Sequence, residues 1–181
     1  MAKVLNSEYF MNIILRIAMS SIWLYAGIIG KLMNPGFLNP ASTQYVGFTI
    51  QYLAQGSLIK GFLYAIAIPH PQLVGILVII GEISFGILTL FGLMTKLANT
   101  VAFYTNLIYF LSASWTGADE YGLNLLMMII DAYFIAYGSK TLSIDSLISA
   151  KVKSFNNTKI WLLIGTVIYV VVIIYLLFSP Q

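Results

Sequence analysis

Residues 73–94 read LVGILVIIGEISFGILTLFGLM, an apolar run interrupted by one ionisable residue, Glu82, near its middle. About 20 such residues form a helix long enough to cross the ~30 Å hydrocarbon core of a bilayer. A carboxylate at that depth costs several kcal/mol unless it finds a partner or water, so it belongs on the inside of a bundle. This stretch therefore decides the fold class: an all-α integral membrane protein whose helices enclose something polar.

On either side of it, further spans are expected at about 9–30, 97–115, 121–139 and 160–178. Each is close to the ~20 residues a crossing needs. The architecture predicted is a four-helix transmembrane bundle plus a fifth C-terminal span, in one membrane domain over residues 1–181. The last span, IWLLIGTVIYVVVIIYLLF, carries no charge and suits lipid or a partner helix. With 60% hydrophobic and 8% charged residues and a mean hydropathy of +0.91, an ordinary soluble domain is excluded. Nine basic residues, widely dispersed, are too few for a nucleic-acid surface.

Basic residues orient the bundle. With the N-terminus inside, the inner side collects Lys3, Lys96, Lys140, Lys151, Lys153 and Lys159, while the outer side holds Lys31 and Lys60 beside Asp119 and Glu120. The expected topology is a multi-pass plasma-membrane protein with its N-terminus inside and its C-terminus outside; no cleaved signal peptide is expected, so the first apolar run stays as a span. Segment 32–72 then forms a long, partly helical outer loop. Asn34-Pro35-Gly36 and Asn39-Pro40 signal turns. Ser42 or Thr43 could cap a short amphipathic helix through Tyr45, Phe48, Tyr52 and Leu53. The later LIKGFLYAIAI is too short to span and reads as interfacial or re-entrant. A loop this apolar is expected either to lie as a lid over the outer mouth or to associate with lipid.

The charged residues inside the spans are the candidate site. Arg16, Glu82 and Asp131 sit in three different spans. At 1.5 Å per residue, Arg16 lies about 10 Å above the inner edge and the two acids about 14–15 Å from the outer edge, so all three could share a layer. One cation cannot neutralise two carboxylates there, so a proton or a partner's base has to balance the second. The bland alternative is an Arg–carboxylate clamp that holds helix register. Lys31, with Lys60 and His70, could draw a small anion to the outer mouth; Lys31 could equally be a snorkelling lysine. Asn106 and Asn124 could hold a quinone carbonyl or bridge helices. Trp23 offers a ring platform, while Trp115, Tyr121 and Trp161 are interface-belt residues first.

Cysteine is absent and His70 is the only histidine. Thiol catalysis, Cys-ligated clusters, bis-His haem and three-His zinc are thereby excluded within this chain, and no metal site is expected. Redox chemistry would have to use an organic cofactor, a quinone or a partner.

Three segments together resemble the DoxX/DoxD membrane family: LRIAMSSIWLYAGIIGKL with Arg16 and Lys31, GEISFGILTLFGLMTKLA with Glu82, and SASWTGADEYGLNLLMMIIDAYFIAYGSKTLSIDSLI with Asp131. They follow one another in the family's order, and the long outer loop and extra last span are most similar to the DoxD branch. The resemblance implies the large subunit of an archaeal thiosulfate:quinone oxidoreductase. Its reaction joins two thiosulfates into tetrathionate while a caldariellaquinone-type quinone is reduced. It also implies a small DoxA-like membrane partner and association with a terminal quinol oxidase. On that reading Glu82, Asp131 and Arg16 are catalytic, Lys31, Lys60 and His70 bind substrate, and Asn106, Asn124 and Trp23 face the quinone. The rivals are a non-catalytic quinol-binding or assembly subunit of the terminal oxidase, and a proton-coupled carrier. Against the carrier stands the lack of a repeated half.

Overall fold

The computed structural model describes residues 7–180, and among them every regular element is helical. α1 (Ser7–Leu24) continues without a break as a π-helix over Tyr25–Leu32. The outer segment contributes α2 (Val46–Gly56), the single turn α3 (Lys60–Phe62) and a second π-helix, Leu63–Ala67. Then come α4 (Pro71–Phe91), α5 (Thr95–Ala113), α6 (Ala118–Tyr137), the short α7 (Ile144–Ser149) and α8 (Thr158–Phe178).

Helices thus occupy all five expected spans. Three of them, Ser7–Leu32, Pro71–Phe91 and Thr158–Phe178, are both long and apolar enough to cross a membrane. α5 and α6 match them in length, with 19 and 20 residues. They are the polar pair of the bundle: α5 buries Asn99, Thr100 and Asn106, and α6 buries Asn124 and Asp131.

The contacts fix the directions. Arg16 meets Thr89, Gly86 lies against Leu24, and Gly27 lies against Glu82, so α1 and α4 are antiparallel. Asn106 meets Asp131 and Phe110 stacks on Tyr121, so α5 and α6 are antiparallel too. α8 runs parallel to α5, with Lys96 on Thr158 at one end and Tyr104 on Thr166 and Tyr169 further along. A core of Met19, Trp23, Phe85, Ala102, Met127 and Phe134 fills the space between α1, α4, α5 and α6. Outside it, α8 buries only Gly165 and Leu176 and leaves a wall of large apolar side chains open, as lipid contact requires.

The connection between α4 and α5 is tight and needs special backbone. Pro71 opens α4 in its first turn, where its missing N–H is no loss. Gly92 ends it in the left-handed conformation (φ 59°), donating to the carbonyls of Leu88 and Thr89. Met94 is also left-handed, and α5 has no cap of its own. Asp145, from beyond α6, supplies one: its carboxylate accepts from the backbone N–H of Met94 (2.7 Å) and Thr95 (2.8 Å). The Ser143-Ile144-Asp145 segment is therefore a structural fastening of the end opposite the long loop.

The long loop is packed protein. Asn34 and Asn39 fold it through Asx turns, accepting from the N–H of Gly36 and Ala41. Val46, Ile50, Ala54, Leu63 and Ala67 form a second core with Phe37, Leu38 and Val74. Neither Ser42 nor Thr43 caps α2; Tyr45 holds the N-cap position without a side-chain bond. The loop is tied to the end of α5: Leu58 N–H (3.0 Å) and Ser57 Oγ (3.2 Å) donate to the Leu111 carbonyl, and Trp115 Nε1 donates to Leu53 (3.1 Å).

Candidate functional site

The charges sort themselves differently from the single layer that depth alone suggests. In a helix every Cα–Cβ bond tilts toward the N-terminus. Arg16 on α1 therefore leans back toward the Ser7 end, whereas Glu82 on the antiparallel α4 leans the opposite way, toward the long loop. Lys31, at the loop end of the same first span, also leans back, which carries its ammonium down into the bundle instead of out to the surface.

Arg16 accordingly touches neither acid. Its Nε donates to the Thr89 carbonyl (3.1 Å), Nη2 to Leu90, and Nη1 to Thr141 (2.9 Å) and Leu142 (3.1 Å). One planar fork thus gathers the last turn of α4 and the chain just after α6. Asn12, one turn earlier on α1, adds a bond to the Gly138 carbonyl (3.0 Å). Lys140 pairs with Glu8 beside it.

Glu82 finds Lys31. The ammonium lies 2.9 Å from Oε1 and 2.7 Å from Oε2, and the Tyr109 hydroxyl donates to Oε1 at 2.9 Å. Two features make the meeting possible. The π-helix from Tyr25 to Leu32 closes i→i+5, as in Met33 N–H to Ile28 O (2.8 Å), and this re-aims Lys31 relative to an α-helical continuation. Gly27 lets that segment lie on α4: a Cβ there would stand 2.9 Å from Ile83 Cγ1 and 3.1 Å from Glu82 Cβ. Glu82 is 1% exposed, whereas the Lys31 side chain keeps 22% of its surface accessible.

Asp131 forms a separate centre. It is wholly buried and accepts one bond, from Asn106 Nδ2 at 2.7 Å. Its Oδ1 and that of Asn106 are both buried without a hydrogen-bond partner. No cation pairs with it among the described residues.

The remaining candidates lie apart from these two centres. Asn124 bonds within its own helix, to the Glu120 carbonyl (2.8 Å). Trp23 is buried edge-on against Phe85, with ring centroids 5.3 Å apart, and so packs as core. Lys60 is exposed and lies over the Tyr64 ring. His70 stands half-buried at the head of α4. No described bond joins Lys60 or His70 to the Lys31–Glu82 pair. Tyr109 is a site residue that the sequence does not single out, one tyrosine among twelve. A signal does exist: Asn106 and Tyr109 are three apart and share a face of α5, where each meets a buried acid. No group of three or more potential metal-ligating side chains occurs among the described residues.

This is a multi-pass helical membrane protein with a buried cation–acid–tyrosine group that joins the loop end of its first span to α4 and α5. The chain belongs to the DoxD family, whose profile, described as "TQO small subunit DoxD", matches residues 10–178. TQO denotes thiosulfate:quinone oxidoreductase. That description corrects the subunit expectation: DoxD is given as the small subunit, not the large one. No curated protein and no solved structure matches the chain.

Proposed function

We propose that this chain couples oxidation of thiosulfate to tetrathionate with reduction of a membrane quinone, and that Lys31, Glu82 and Tyr109 form the working site. The balance is two thiosulfates, one quinone and two protons giving one tetrathionate and one quinol, each thiosulfate supplying one electron. The observation that carries the reading is the buried Lys31–Glu82–Tyr109 group in a chain of the DoxD family. Thiosulfate is a dianion that does not enter hydrocarbon, and Lys31 offers it a cationic side chain that is partly accessible near the loop end. Quinone reduction needs donors to the carbonyl oxygens and a carboxyl that carries protons. Lys31 and Tyr109 are such donors, and Glu82 is such a carboxyl. Asp131 and Asn106 present two unpartnered acceptors, which suit a hydroxyl donor better than a carbonyl oxygen.

On this reading the long loop faces outward, the N-terminus lies inside, and another subunit of the enzyme completes the complex. The test is thiosulfate-dependent reduction of a water-soluble quinone analogue by the purified chain, with and without its partner subunit, and then with Glu82→Gln. Turnover that requires thiosulfate and drops at least tenfold in the variant is the expected result. Quinol binding without any thiosulfate-dependent turnover, partner present, would make the chain an accessory subunit of a quinol oxidase instead.

A further inference from the structure

We propose that Lys31 is shared between Glu82 and a small oxoanion, so that each anion bound obliges Glu82 to take up one proton. This rests on the anion-binding role given to Lys31 above, and it adds a coupling between the outer anion and the buried carboxyl.

The geometry supplies each part. An ammonium has three N–H donors. Two of Lys31's point at the Glu82 oxygens, and the third reaches only the Ala26 carbonyl at 3.4 Å, a weak contact that an incoming oxygen can replace. The accessible surface of the pair belongs to the lysine, since Glu82 is almost completely enclosed. An incoming anion therefore meets the partly accessible Lys31 side chain and not the enclosed carboxylate.

Charge balance supplies the proton's reason. Lys31 and Glu82 together are neutral, and Tyr109 adds none. A dianion drawn to Lys31 would leave two uncompensated negative charges in a water-poor site, which is costly. One proton on Glu82 removes half of that excess and ends the repulsion between carboxylate and anion. The oxygens are not equivalent. Oε1 keeps the Tyr109 hydroxyl, while Oε2 is held by Lys31 alone, so Oε2 is the atom left bare when the lysine turns outward, and it receives the proton. The charged and titratable groups on the surrounding elements leave Glu82 to these two partners. Arg16 on α1 is committed to backbone carbonyls, Asp131 on α6 bonds Asn106, and Tyr169 on α8 bonds the Tyr104 carbonyl. Tyr52 on α2 is exposed and rests on Trp115.

Isothermal titration of the detergent-solubilised full chain with sulfate, which cannot be oxidised, and with thiosulfate tests the coupling. Runs in two buffers of different protonation enthalpy count the protons. The expected result is close to one proton taken up per anion, with affinity weakening about tenfold per pH unit once Glu82 is ionised. Glu82→Gln keeps the shape and the Tyr109 contact but cannot take a proton. It should bind both anions with no proton uptake and no pH slope, and more tightly than the native chain at high pH. Native binding without proton uptake, or no binding of either anion, overturns the proposal. So does a Glu82→Gln chain that retains the slope. If that variant does not fold, the native proton count decides alone. Proton-linked anion binding without quinone turnover would remove the redox reading and leave this one standing; turnover without proton-linked binding would do the reverse.

Discussion

Replacing Arg16 with alanine separates a structural role from a catalytic one. The native side chain makes four hydrogen bonds, to the carbonyls of Thr89, Leu90, Thr141 and Leu142. The Thr89 carbonyl has a second donor in Gly92 N–H, so it keeps a partner when the arginine is gone. Leu90, Thr141 and Leu142 lose a charge-assisted donor. A buried acceptor left unpaired costs about 1–3 kcal/mol. Leu142 is 77% exposed, Leu90 36% and Thr141 only half-buried, so water can reach all three and the lower figure of about 1 kcal/mol applies to each, roughly 3 kcal/mol together. Loss of a cation at the C-terminus of α4 adds about 0.5 kcal/mol. For a chain of this size that is a fall in Tm of about 7–14 °C. Arg16→Lys should recover little, because a compact ammonium with three donors lacks the planar fork that meets four carbonyls at once. The assay is a thermal melt in detergent, followed by quinone-analogue reduction normalised to folded protein. An Arg16→Ala chain that melts like the native one yet turns over no thiosulfate would contradict the structural role and return Arg16 to the chemistry.

Substitutions at three further positions probe other joints. Asp131→Asn gives the centre the donor it lacks: the new amide can donate to Asn106 Oδ1 while still accepting from Asn106 Nδ2. Its melting temperature should equal or exceed the native value, while Asp131→Leu, which strands Asn106, should lose about 1–3 kcal/mol; equal losses in both would contradict this. Asp145→Ala strips the only side-chain cap from α5 and should cost about 1–2 kcal/mol in denaturant titration, a native-like midpoint counting against the fastening. Gly27→Ala places a methyl 2.9 Å from Ile83 Cγ1, so it should cost about 1–3 kcal/mol in a thermal melt. Unchanged melting would show that the π segment does not rest on α4.

Hydropathy locates the helices because the requirement it reports, a lipid-sized apolar run, is local. The segment expected at 73–94 is α4 at Pro71–Phe91, and that expected at 160–178 is α8 at Thr158–Phe178. The site is less legible because it depends on direction as well as depth. Counting rise per residue puts Arg16 and Glu82 at similar levels, yet their side chains lean to opposite ends of the bundle. Lys31 reads as an interface residue because nothing in YAGIIGKL announces a π-helix. Asp131 and Asn106 each stand out in the sequence for a separate task; only packing of α5 on α6 shows them to be one pair.

The arginine fork has a consequence for how this chain is made. α1 emerges first, carrying a guanidinium that costs about 2.5–3.5 kcal/mol at the centre of an inserting helix. Two of its four acceptors, the carbonyls of Thr141 and Leu142, are synthesised some 125 residues later. Until then the guanidinium has only the two α4 carbonyls, Thr89 and Leu90, to bond. Leu142, held in a left-handed conformation (φ 45°) with its carbonyl turned to Arg16, therefore belongs to the last-made part of the fork that ties the first helix to the end of the fourth long one. Ribosome-stalled chains whose Thr141 and Leu142 are still inside the exit tunnel should hold α1 less firmly against extraction than chains stalled far enough downstream to release them.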